Sequence, residues 1–301
     1  IDTIFDLSSL TKVVATATSM MILVEEGRLT LDDSVSMFLP KFSDQKKKNI
    51  TIMQLATHFS GLRAGLDQDK YWVGFKEALR RASIEELIAV PGSRFNYSDI
   101  NYIVLGAVLE KVAQMGLEEF SEQRVFSLLG MKNTTFKPSP FWRHRIAPTE
   151  IRNGRMLRGK VHDPTSARMG GVSGHAGLFS TAGDLAIFLQ MLLNYGVYDG
   201  VRILSPLSVG RMTTNQSPQE QDSWRGVGFD IRSRFSSSRG DLFPLGSFGH
   251  TGFTGTSLWI DPYSQVFLII LTNRLHPNSK GDVGRLRKQV ANIVAASIEN
   301  F

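Results

Sequence analysis

Ser9 and Lys12 stand three residues apart at the head of a long apolar segment, so on a helix the hydroxyl and the ammonium share one face, a turn apart. A helix N-terminus stabilises developing negative charge, and a lysine taken out of water can accept a proton, so the pair can make an activated nucleophile. A capped surface helix can show the same two residues. Here residues 13–24 are apolar nearly all round, which leaves Lys12 no solvent-facing stripe, and a buried ammonium without partners is costly. Two distant groups complete the set: Tyr97, Ser98 and Asp99 just before a helical pattern, and His250, Thr251 and Gly252 at the end of a strand pattern, followed by Phe253. Tyr97 is a candidate general base or proton shuttle, a role in which a phenol needs a neighbouring cation such as Lys12. His250 is expected to polarise a leaving group or bind a substrate carboxylate, and to titrate near neutrality. Gly252, lacking a Cβ, is expected to let the strand edge approach a substrate, with Thr251 beside it.

Other polar residues weigh differently. His162, Asp163 and His175 invite a metal reading, but their spacing is not that of a zinc protease, so substrate contact or structural hydrogen bonding is expected and no metal. The glycine-rich stretch of Gly170, Gly171, Gly174 and Gly177 lacks a phosphate-loop pattern, and no cofactor is expected. Asn273 and Arg274 follow a strand pattern and are candidates for gripping a substrate carboxylate, with a rim ion pair as the competing reading for Arg274.

These residues need a frame. The chain has 301 residues, 42% hydrophobic and 21% charged, enough for one large core. Capping pairs at Thr51/Gln54 and Ser83/Glu86 predict helix starts, and helices are predicted over residues 9–26, 100–114 and 184–194. Residues 227–231, 257–260 and 266–272 read as strands, with a turn at 261–264 and a C-terminal helix over 283–298. The expected fold is α/β of the α+β kind: an antiparallel sheet flanked by helices (residues 1–29 and 181–301) with an inserted, mainly helical lobe over roughly 30–180. The absence of cysteine excludes disulfides and thiolate chemistry. The net charge of +6 is dispersed apart from Lys46–Lys48, so nucleic acid is not an expected partner. The apolar run 13–24 falls short of the ~20 residues that span a bilayer, so no transmembrane segment is expected. The opening Ile1–Asp2 carries no leader pattern, which suggests a processed chain or part of a longer, fused product.

The three motifs, in this order, resemble the penicillin-binding protein and serine β-lactamase superfamily in its class C-like branch, whose class A relatives carry a comparable motif set. The resemblance extends over FDLSSLTK (5–12), TIMQLATHFSGL (51–62) and GLFSTAGDLA (177–186). More narrowly, IAPTE (146–150), VHDP (161–164), GGVSGHAGLF (170–179) and LTNRLHP (271–277) resemble the bacterial exo-acting N-acetylmuramyl-L-alanine amidases, relatives of which occur fused behind a β-N-acetylglucosaminidase module. The resemblance implies a cofactor-free serine hydrolase acting through an acyl-enzyme, the amides of Ser9 and Phe253 as oxyanion donors, a small-molecule or peptidoglycan-fragment substrate, and an extracytoplasmic place of work. D-Alanyl-D-alanine carboxypeptidase, β-lactamase and esterase are the alternatives within that class, and a penicillin-recognising sensor or peptidoglycan-binding module is the non-enzymatic one. Two departures stand out. Asp99 takes the place where relatives usually have Asn, where it can hold Lys12 protonated and favour Tyr97 as base. Only eight residues precede Ser9, so the family's N-terminal strands are expected to lie before residue 1.

Overall fold

The computed structural model describes residues 2–299. Strand β1 (Phe5–Asp6) leads straight into the Ser9/Lys12 segment, which winds as a 3₁₀ turn over Ser8–Leu10, a π-helical stretch over Lys12–Ala17 and a regular helix α1 over Thr18–Glu25. Gly27, at φ 67°, ends it in the left-handed conformation that the sequence suggests. The uniform helix expected over residues 9–26 is not what forms. Its hydroxyls bond main-chain carbonyls instead: Thr11 Oγ1 donates to Ser8, Thr16 Oγ1 to Gly174 and Thr18 Oγ1 to Val13. Such bonds compete with the regular helical ladder, and wide turns of this kind recur at functional sites. The segment from Leu10 to Leu23, Lys12 included, is buried.

A mainly helical stretch follows: α2 (Val35–Phe38), α3 (Ile52–Ala56), α4 (Phe75–Ile84), α5 (Asp99–Ala113), α6 (Leu117–Ser121), α7 (Ser127–Leu129) and α8 (Pro164–Arg168), with short strands β2 (Thr135–Phe136), β3 (Ile151–Arg152) and β4 (Arg155–Met156) between them. The capping box at Thr51/Gln54 forms as predicted. The one at Ser83/Glu86 does not, because Ser83 lies in the last turn of α4 and its hydroxyl donates back to the Arg80 carbonyl. Helix α5 is the second buried helix; Ser98 caps it through the Asn101 amide. The glycine-rich loop packs on α5, where a Cβ on Gly174 would collide with the Tyr102 carbonyl. That close approach is what Gly174 serves.

After β5 (Leu178–Ser180) come α9 (Ala182–Leu193), the hairpin β6 (Val197–Tyr198) and β7 (Val201–Arg202), α10 (Pro206–Thr213), and then the main sheet: β8 (Trp224–Arg225), β9 (Asp230–Arg232), β10 (Phe248–Thr251), β11 (Ser257–Asp261) and β12 (Val266–Ile270), followed by α11 (Gly284–Ala296). The sheet is antiparallel in the order β12-β11-β10-β9-β8, and a second sheet has the order β1-β5-β2. The molecule is therefore the expected mixed fold of antiparallel sheets flanked by helices. The strand expected over 227–231 begins only at Asp230, since Val227 and Gly228 form the turn between β8 and β9. In α11 the expected stripe is realised in part. The spacing of Val283, Leu286, Val290, Ile293, Val294 and Ile298 predicts a buried face; Val294 and Ile298 pack, together with Ala291 and Ala295, on Phe243 and Trp259, while Leu286 and Ile293 are exposed. Small alanines let the helix approach the sheet closely, which a count that ranks Leu and Ile above Ala does not foresee. Among the described residues no single helix is long and apolar enough to cross a membrane.

Candidate active site

The start of the buried helix, the N-terminus of α5 and the end of β10 converge on one cleft of about 480 Å³. At its floor Lys12 Nζ donates to Ser9 Oγ (2.9 Å), Asp99 Oδ1 (2.7 Å) and the His175 carbonyl (3.1 Å). A carboxylate and a carbonyl only accept, and the third contact at Ser9 is a donation when Lys12 is an ammonium. Burial pushes the Lys12 pKa down, but the Asp99 carboxylate and then Tyr97 outweigh it, and the net direction is upward. The resting side chain is a desolvated ammonium locked on the Ser9 oxygen. The Tyr97 ring flanks it, with Nζ 5.0 Å from the centroid, and is itself held between His58 (4.4 Å) and Phe235 (5.0 Å). His58 and Ser60 are structural: His58 Nδ1 accepts the Ser98 amide (3.1 Å), and Ser60 Oγ donates to Asn101 Oδ1 (2.6 Å).

His250 faces the same cleft from β10 but does not titrate near neutrality. Burial, then the nearby Arg225 and Lys12 charges, hold its pKa well below the usual range. Its Nδ1 lies 2.9 Å from the Thr251 carbonyl, so in the neutral ring the proton sits there and Nε2 is left as a buried lone pair without a partner. The expected outcome is an imidazole whose NMR shifts stay those of the Nδ1–H tautomer from pH 6 to 8; a titration midpoint inside that window would contradict this placement. Arg225 lies behind it, fully buried, its Nη2 donating to the Gly228 carbonyl (2.9 Å) and its Nη1 3.4 Å from Asp230.

The remaining predicted residues divide. Thr251, Gly252, Phe253, His162 and Arg274 all line the cleft. A Cβ on Gly252 would run into Thr256 Oγ1 and the Leu7 carbonyl, so the missing side chain there makes room for the protein's own atoms. Phe253 is 59% exposed on the rim, with the His162 ring stacked at 5.9 Å and the Arg274 guanidinium 4.4 Å away. Arg274 Nε donates to the Phe253 carbonyl (2.6 Å) and Nη1 to that of Gly281 (3.0 Å), so it braces the end of the β10 turn. The rim ion pair envisaged for it does not form among the described residues. His175 borders the cleft, but both ring nitrogens are used inside the wall, Nε2 with Asp163 (2.8 Å) and Nδ1 with Ser173 (2.7 Å); its direct link to the centre is its carbonyl on Lys12. Asn273 does not line the cleft; its carbonyl closes the turn to the His276 amide. Asp99, Asp163 and His175 gather ligand atoms within 4.8 Å, and Lys12 is the cation bonded to that cluster.

Sequence reasoning passed over Ser8, Asp6, Arg225, Phe235 and Arg287. Asp6 is buried, accepting the amides of Ser8 (2.9 Å) and His162 (2.7 Å), and so ties the Ser8–Leu10 turn to the opposite wall. An acid just before the Ser9/Lys12 pair was the available signal. Burial pushes its pKa up to about 6 against those two bonds. Because this folded-state value exceeds the unfolded one, Asp6 binds its proton in the native state first, and its contribution to stability grows as pH falls from about 6 toward 4. A carboxyl-carbon titration of Asp6 by NMR should show its midpoint near 6; a midpoint below 4 would contradict it.

A Ser–Lys pair at the start of a buried helical segment, with a tyrosine beside the ammonium and a strand-end histidine in the same cleft, fits a serine hydrolase. The chain belongs to the Beta-lactamase family, whose model matches residues 2–292. Among curated proteins it is 33% identical over 309 residues to a protein of Salmonella typhimurium LT2 named "Putative D-alanyl-D-alanine carboxypeptidase", covering 91% of this chain and 70% of that one. Among solved structures it resembles a penicillin-binding protein homologue from Caulobacter crescentus (TM-score 0.77, 23% identity, 98% of this chain and 84% of that one). It also resembles EstCE1, described as a hydrolase with promiscuous acyltransferase activity (TM-score 0.75, 24% identity, 97% and 85%). Both likenesses concern the fold.

Proposed function

We propose that the chain hydrolyses an amide of cell-wall muramyl peptides, the bond between the muramyl group and L-alanine, through an acyl-enzyme on Ser9, outside the cytoplasm. The observation that carries the reading is the Lys12 ammonium bridging Ser9 Oγ and Asp99. With Lys12 already protonated, Tyr97 is the group left to take the Ser9 proton. Ser9 Oγ bonds the carbonyl carbon, and the amides of Ser9 and Phe253 receive the oxyanion. The proton passes from Tyr97 to the leaving nitrogen as the C–N bond breaks. Water then attacks the ester, giving a proton to Tyr97, which returns it to Ser9 as the acyl group departs.

The substrate reading is supported by how the amidase-like segments meet. Glu150 lies 3.3 Å from His162, Asp163 pairs with His175, and the Ile151 amide donates to the Pro277 carbonyl (2.8 Å), so segments far apart in sequence build one wall. The curated relatives' name favours a second reading, D-alanyl-D-alanine carboxypeptidase. Measuring kcat/KM on a muramyl dipeptide, a D-Ala-D-Ala peptide and a chromogenic cephalosporin decides between them. Fastest turnover of the muramyl substrate is expected; fastest turnover of either of the others replaces it.

The role of Lys12 has its own test. Asp99 raises the Lys12 pKa, so Asp99→Asn makes the ammonium lose its proton at lower pH. If the ammonium is the working form, the alkaline limb of the kcat/KM profile moves down and the acid limb stays. Movement of the acid limb instead would assign the base role to Lys12.

A further inference from the structure

Ser8, next to the nucleophile, has φ 49°, in the left-handed region that a residue with a side chain enters only at a cost. Two bonds hold it there. Its amide donates to Asp6 Oδ1 (2.9 Å), and its Oγ accepts the amide of Phe253 (3.2 Å). The second bond is unexpected, because that amide is the oxyanion donor of the mechanism above. Ser8 is 7% exposed and lines the cleft, so its hydroxyl stands where an incoming carbonyl oxygen has to go.

We propose that the Ser8 hydroxyl is a resident occupant of the oxyanion hole, which a substrate carbonyl must displace before its oxygen is received there. The proposal rests on the Ser9 and Phe253 assignments. A buried N–H left unpaired is costly, so the hydroxyl keeps the Phe253 amide satisfied and aimed. Carbonyl entry exchanges one neutral acceptor for another, so every substrate meets the same displacement cost. The oxyanion accepts more strongly than either neutral group, so the exchange becomes favourable in the transition state. Displacement needs only rotation about the Ser8 Cα–Cβ bond, and no covalent bond changes. Asp6 acts through Ser8 as a positioning residue, since its carboxylate fixes the turn that aims the hydroxyl.

The test compares Ser8→Gly, which takes φ 49° without strain, with the parent enzyme, using an ester and an anilide of one acyl group and a boronate inhibitor. kcat/KM for acylation should rise by a common factor of ~3- to 10-fold for the ester and the anilide, the span of one net hydrogen bond, with the boronate binding ~3- to 10-fold tighter. An unchanged or lower kcat/KM, a gain confined to one substrate or weaker boronate binding would overturn the proposal. Melting curves establish that the variant folds; if it does not, Ser8→Ala removes the same hydroxyl and is held to the same outcomes. A Ser9→Ala control separates the two claims: continued acylation of that variant would remove the mechanism itself, whereas loss of acylation there with no gain in Ser8→Gly would remove only the occupant.

Discussion

Replacing Ser9 with alanine is expected to abolish labelling by a fluorophosphonate probe and to lower kcat/KM by about 10⁴-fold, leaving the melting temperature close to that of the parent. The size follows from what the substitution removes. With the attacking oxygen gone, the variant keeps only binding and the oxyanion amides, which in serine hydrolases leave a residual ~10³–10⁴ over water. The fold should survive because the hydroxyl's partner, Lys12, retains Asp99 and the His175 carbonyl. Undiminished labelling of Ser9→Ala would point to another nucleophile, and Ser8 would be the first to examine.

Lys12→Met is expected to separate activity from stability. Lys12 is fully buried, and the thioether is close to its shape without its charge. Catalysis should fall about 10³-fold or more, since the proton path loses the cation that holds Ser9 and faces Tyr97. Stability should stay close to that of the parent, because the cost of desolvating the ammonium disappears and Asp99, one-third exposed, recovers water instead of being left as an unpaired buried charge. Melting curves beside steady-state kinetics check both halves. A drop of 10 °C in Tm would mean that the pair serves the fold and not the reaction.

What could be read in advance was what local rules govern. The spacing of Ser9 and Lys12, the Thr51/Gln54 and Ser98 caps and the strands expected over 257–260 and 266–272 depend on neighbours in the chain, and the strands form over Ser257–Asp261 and Val266–Ile270. The substitution of Asp99 for an amide also announced an ion pair, which is present at 2.7 Å. The rest depends on partners that no local pattern reveals. That His250 is neutral follows from its burial and from Arg225, two strands away in the sheet. That both nitrogens of His175 are spent follows from Asp163 and Ser173, and that Ser8 Oγ accepts the Phe253 amide follows from the bend that Asp6 holds. Asn273 looked equivalent to Arg274 by position, yet only the longer side chain extends to the Phe253 turn.

Trapping the acyl-enzyme tests the central claim most directly. The protein is mixed with a slow ester or muramyl-peptide substrate, quenched in acid within milliseconds, and examined by intact mass and peptide mapping. One added acyl group, on Ser9 and lost on longer incubation, is the predicted result. Steady product release with no adduct at any time, or an adduct on any other residue, would contradict it.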